Sequence, residues 1–239
     1  MTASKFQSVR TARFLIAGML APLVYVFTVA LGGALRTGYS HMAQPVSDLI
    51  AAGAPNAWLL DPLFALYNLL TLAFGIGLLL RVQRDAQQEK RATGWAGAFL
   101  LLVEGCAGLL LLFYPEDGSG MTDAISGTGR LHILLAGVCS MSSMAAILLM
   151  GFWFRSHPRL RGYGTFSFVS VALIFGSGGL TAFSIANHNP IGGMLERVTV
   201  GGFLLWMGVT GAGMWQRSII RFEEKEGSRS PLSESHRQR

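Results

Sequence analysis

The chain has 239 residues, is 51% hydrophobic and 13% charged, and carries a formal net charge of +6. Soluble domains usually carry about 25% charged residues, so the composition excludes a sizeable soluble domain and indicates a polytopic membrane protein. Cys106 and Cys139 both fall inside apolar runs, which argues against a disulfide framework.

Residues 1–13 hold Lys5, Arg10 and Arg13 and precede the first apolar run, Phe14–Leu35. That run resembles a signal peptide in its basic flank, but about 22 apolar residues exceed the usual 7–15-residue core, so it is read as a membrane helix. The first connection, "RTGYSHMAQPVSDLIAAGAPNAWLLDP", is longer than most connections. Within it Ser47 and Asp48 are expected to cap a short helix ending around Gly53, with Val46, Leu49 and Ile50 lying on the membrane or over the bundle mouth as a lid. The second run, Pro62–Leu80, contains Asn68, expected to make an interhelical hydrogen bond.

The third run, Ala92–Tyr114, places Glu104 near its middle. A charged carboxyl costs several kcal/mol at that depth, so Glu104 is expected to be protonated, paired or beside water, and is a proton-site candidate. The next connection, "PEDGSGMTDAISGTGRLH", carries Glu116, Asp117 and Asp123 and enters the fourth run, Leu131–Phe154, through Arg130 and His132. In the fifth run, Gly162–Ala186, Gly178 and Ala182 lie four apart and are expected to let helices pack closely, as are Gly105–Gly108 and Gly208–Gly211–Gly213. A tight bundle without a wide pore follows. The segment "NHNPIGGMLERV" leads into the sixth run, Val198–Trp215, and puts Glu196 in an expected first helical turn. Glu196 is expected to meet Arg130, and Arg197 to meet Asp117 or Asp48. The division is therefore a cytoplasmic segment 1–13, a six-helix domain 14–216 and a disordered polar tail 217–239.

Sixteen of the 19 Lys and Arg fall in the N-terminal segment, the second and fourth connections and the tail; Arg36, Arg130 and Arg197 stand one each in the other three connections. This asymmetry predicts both termini in the cytoplasm and connections one, three and five outside. The expected location is the plasma membrane, which is the inner membrane of a Gram-negative cell. The basic pI of about 9.8 is explained by these cytoplasmic loops, so nucleic acid is not an expected partner.

The strings "GYSHMAQPVSDLIAAGAPNA", "LFALYNLLTLAFGIGL", "FYPEDG", "GRLHILLAG" and "GMLERVTVGGFLLW" resemble, in order and side, domain-of-unknown-function family 998, six-helix prokaryotic membrane proteins. The likeness spans about residues 12–217, and its motif positions are Ser47, Asp48, Pro115, Asp117, His132, Glu196 and Arg197. It implies a six-span fold but no reaction or substrate. The string "PED" leaves Glu116 and Asp117 as alternatives for the acid after Pro115.

Three functional readings follow. In the first, Asp48, Asp117 and His132 act as acid–base groups on a lipid or its head group, in a hydrolysis or transfer. Arg130, Glu196, Arg197, Ser47 and Asn68 then bind substrate. A divalent metal would fall to His132, His188 and Asp117, although no HExxH or HxxxH spacing marks a site. His41, His132 and His188 are expected at one depth, where a closing bundle brings them together. In the second, the chain is a non-catalytic scaffold or sensor. In the third, it is a small proton-coupled transporter that uses Glu104.

Overall fold

The computed structural model describes residues 3–84, 91–118, 126–187 and 189–227. Its long helices are α1 (Ala3–Leu35), α2 (Ala57–Gln83), α3 (Arg91–Leu111), α4 (Gly127–Ser156), α5 (Arg161–Ala186) and α6 (Gly192–Gly227). Each holds a stretch long and apolar enough to cross a membrane, and among the described residues no strand occurs. The protein is an integral membrane protein of six helical spans.

The helices outrun the apolar runs, because polar residues at a helix end can project into the interface while the backbone stays hydrogen-bonded. α2 starts at Ala57 rather than Pro62, and α4 at Gly127 rather than Leu131. α6 starts at Gly192, which moves Glu196 out of the first turn. α6 also continues to Gly227, through Glu223, Glu224 and Lys225, so the first part of the segment expected to be disordered is helical; Glu and Lys are good helix formers. The last part of that tail lies outside the described residues.

The helices form a ring. Each packs chiefly on its neighbours in sequence, and α6 closes on α1. Small residues make the seams: a Cβ on Gly211 of α6 would stand 3.0 Å from the Gly18 backbone of α1, and one on Gly105 of α3 would stand 2.8 Å from Leu72 of α2. These close approaches match expectation. Gly178 and Ala182 do not: they line a cavity, and the nearest atom to a Cβ on Gly178 would be Thr199 of α6 at 3.4 Å. The expected tight bundle is therefore only half correct.

The connections α1–α2, α3–α4 and α5–α6 share one end of the ring, the loop end. The other end carries the start of α1 and the end of α6. This terminal end is filled by the buried side chains of Leu15, Leu78, Met150, Trp153 and Phe154, with Phe74 and Trp206 near mid-depth. Trp206 Nε1 donates to Ser167 Oγ at 2.8 Å, which satisfies the indole inside that core. The loop end is instead hollow.

The first connection crosses the loop end. Ser47–Ile50 forms a single 3₁₀ turn, and neither Ser47 nor Asp48 is its cap; Val46 is, without a side-chain hydrogen bond. Val46 and Leu49 are buried with Val29, Leu60 and Phe64, so this turn sits on α1 and α2 rather than on the membrane surface. Backbone bonds tie it onward: Ala52 N–H donates to Glu116 O at 2.9 Å, and Met194 N–H to Met42 O at 2.9 Å.

Candidate functional site

The start of α4 explains one acid. Ser126 is the N-cap, and its Oγ accepts from Gly129 N–H at 2.9 Å. Ser126 also donates to Asp117, through its N–H at 2.8 Å and through its hydroxyl. These bonds hold the Asp117 carboxyl below the usual carboxylate range, and a helix N-terminus favours the anion further. A Cβ on Gly129 would collide with that carboxylate, so any larger residue there would displace Asp117 from the cap. Asp117 lines the cavity but serves as part of the α4 cap.

Its neighbour Glu116 is the hub. The Glu116 side chain is hydrogen-bonded to Ser47 and to Asp48. Burial pushes its pKa up to about 7, and the charges of Asp48 and Glu196 add to the rise, while the Ser47 bond opposes it. Asp48 is fully buried, and Gln44 Nε2 donates to its Oδ2 at 2.9 Å. On the other side, His132 Nε2 stands 3.9 Å from Glu116 Oε2. The His132 Nδ1 lies 2.8 Å from the Tyr114 carbonyl, which can only accept. Nδ1 therefore carries the proton in the neutral ring, and the Nε2 lone pair faces Glu116.

Glu196 approaches from α6. Its Oε2 accepts from Val46 N–H at 2.8 Å, so it anchors the first connection rather than pairing with Arg130. Arg130 is exposed at the start of α4 and does not line the cavity. Arg197 turns away too. It donates to Tyr39 Oη at 2.6 Å, Gly193 O at 2.8 Å and Gln44 O at 3.0 Å, and its guanidinium lies over the Tyr39 ring. The expected pairing of Arg197 with Asp117 or Asp48 is thus replaced by bonds to the first connection, whose carbonyls lie nearer. His41 packs on Gly33 and the Tyr39 edge and, unlike His132, does not line the cavity. His188 lies outside the described residues. Among the described residues no group of three or more His, Cys, Asp or Glu is arranged to hold a metal.

The cavity behind these groups has two adjoining lobes, of about 800 and 570 Å³. Both are within the range of small-molecule pockets, roughly 300–1,000 Å³. The outer lobe carries Ser47, Glu116, Asp117, His132 and Glu196. The deep lobe shares Ser47, His132 and Glu196 with it and continues inward to Tyr67, Asn68 and Glu104. Asn68 donates to Phe64 O of its own helix at 3.0 Å rather than to another helix, and its amide lies so close to Gly108 of α3 that a Cβ there would collide with it. Glu104 is hydrogen-bonded by Tyr67. The role of Glu116 as the link between Asp48 and His132 was absent from the sequence reading; its only signal was the adjacent pair Glu116-Asp117 after Pro115.

Fold and cavity together define a multi-pass α-helical membrane protein with a buried polar cluster at one end. The chain belongs to the family described as "Protein of unknown function (DUF998)", whose sequence model matches residues 19–213. Neither the curated proteins nor the solved structures contain a match.

Proposed function

We propose that this protein carries out acid–base chemistry, a hydrolysis or a transfer, on the head group of a membrane lipid bound in the two-lobed cavity. The observation that carries this reading is that Glu116, hydrogen-bonded to Asp48 and 3.9 Å from His132, opens on the same cavity that runs down to the apolar deep lobe. A head group and a chain would each meet matching surroundings. His132 Nε2 is the base, and Glu116 holds or returns the proton, with a pKa near working pH, where such catalysis is most efficient. Asp48 and Ser47 hold Glu116 in place, and Asp117 orders α4.

The outer lobe is lined by acids, while Arg130 and Arg197 face elsewhere. A neutral or cationic head group suits it better than a phosphate. The basic asymmetry of the connections supports a loop end outside and both termini in the cytoplasm, and on that reading the head group is one of the outer leaflet. Buried Phe74, Trp206 and Met207 beyond the deep lobe favour chemistry over passage through the bundle.

The test is reconstitution into lipid nanodiscs with total membrane lipid, followed by mass spectrometry of head groups over time. A head-group change is expected for the native protein and a loss of about 100-fold or more for His132→Ala and Glu116→Gln. No change with the native protein, or full activity in both variants, would overturn the proposal.

A further inference from the structure

The seam between α4 and α5 changes along its length. Toward the terminal end, a Cβ on Gly151 of α4 would stand 2.9 Å from the Phe168 ring and 3.0 Å from Ser167 Cβ. The Phe152 and Phe168 rings lie 5.1 Å apart across the same stretch. Toward the loop end the seam opens. A Cβ on Gly137 of α4, or on Gly179 of α5, would meet nothing within 4 Å. Gly137, Ser140, Gly179 and Ala182 are exposed, yet they line the cavity. Phe175, 72% exposed, lines the deep lobe from the middle of the α5 span. The cavity is therefore open sideways, at the depth of hydrocarbon.

A gap between small residues is not by itself a site. Glu104 supplies the second observation. It is 5% exposed and lines the deep lobe, and its Oε2 is buried without a hydrogen-bond partner among the described residues. A buried polar atom left unpaired costs free energy, so a ligand that bonds it is favoured. The depth is set by the helices. Cys139 of α4, whose Sγ donates to the Glu104 carbonyl at 3.7 Å, lies seven residues below His132, and that is about 10 Å at 1.5 Å per residue.

We infer that the α4–α5 opening admits one acyl chain of a lipid sideways from the bilayer, and that the chain bears a hydroxyl which bonds Glu104 about 10 Å from the head group. The chain lies against Gly137, Ser140, Gly179 and Ala182. The bilayer is the source because the opening lies within the spans. This inference rests on the lipid reading above and adds the entry route, the deep contact and the kind of chain.

The experiment uses the full chain in nanodiscs with a monoacylglycerol carrying a diazirine in its acyl chain. After irradiation, labelled peptides are mapped. Label is expected on the loop-end halves of α4 and α5. The competitors are monoricinolein, whose chain bears a mid-chain hydroxyl, and monoolein, which lacks it. Monoricinolein is expected to displace the probe at a concentration at least ten-fold lower. Glu104→Leu should erase that difference. Gly137→Phe with Gly179→Phe should abolish the label, because both new rings enter the opening. Gly176→Phe, which faces open space off the cavity lining, should leave it unchanged, and thermal melts confirm that each variant folds. Label spread evenly over all lipid-facing helices, or retained in the double variant, would overturn lateral entry. Equal displacement by the two competitors would overturn the Glu104 contact. Localised label without any head-group change would leave this inference standing and remove the proposed reaction. Head-group chemistry that survives in the double variant would do the reverse.

Discussion

The two ends of this ring of helices use small residues in opposite ways. At the terminal end, Gly151 is pressed against Ser167 and Phe168, and Gly94 against Trp153, in a core that also buries Phe154 and Met150. At the loop end, Gly137 and Gly179 border open space, and polar groups take over: Glu116 bonds Asp48 and stands 3.9 Å from His132, while Glu196 bonds the first connection. In lipid, helices associate through close packing and interhelical hydrogen bonds, since tails are as apolar as the helices. One end relies on the first and the other on the second. The packed end can hold the ring together while the polar end keeps a cavity.

The sharpest way to break this contrast is to hollow the packed end. Trp153→Ala removes a fully buried ring and should lower stability by about 3–5 kcal/mol, read by thermal or denaturant unfolding in detergent. A loss below about 1 kcal/mol would mean that the terminal end is not the stabilising core. Next comes a matched pair, Gly151→Leu and Gly137→Leu. The first overpacks a tight seam and should cost about 1–3 kcal/mol; the second enters open space and should cost nothing or stabilise the helix. Equal effects would show that the seam is uniform.

At the polar end, pH separates Glu116 from its surroundings. Its pKa in the folded protein, about 7, lies above the ordinary carboxyl value of 4.5. The folded state therefore binds this proton more tightly than the unfolded one. Its contribution to stability is fully present below about pH 4.5 and is lost as pH rises through about 7. Glu116→Gln should flatten that decline in melting temperature between pH 4.5 and 7.5; an unchanged slope would assign the decline to other groups. The smallest effect is expected at the α4 cap. Ser126→Ala removes the hydroxyl that bonds both Gly129 N–H and Asp117 and should cost about 1 kcal/mol.

Much of the polar cluster was visible residue by residue but not partner by partner. Asp48, Asp117, His132 and Glu196 do gather at the loop end, as the order of the connections suggested. Their partners differ because the first connection, rather than another helix, supplies the nearest groups. It takes Arg197 through the Gln44 carbonyl and Tyr39, and Glu196 through Val46 N–H. Side chains that reach a folded loop cannot be paired from spacing alone. Asp117, read from the sequence as a reactive acid, also caps α4 through Ser126; a capping carboxylate and a reactive one have the same sequence signature just before a helix.

Apolar length and low charge alone required six spans, since about 20 apolar residues at 1.5 Å each match the bilayer and leave no soluble alternative. Family membership was likewise legible in the ordered motifs between the first and last spans. Whether small residues close a seam or border a cavity was not. Gly151 and Gly137 sit on the same helix and read alike, yet one meets a neighbour and the other does not. That depends on how far α4 and α5 diverge, a distance set by packing across the whole ring rather than by either helix.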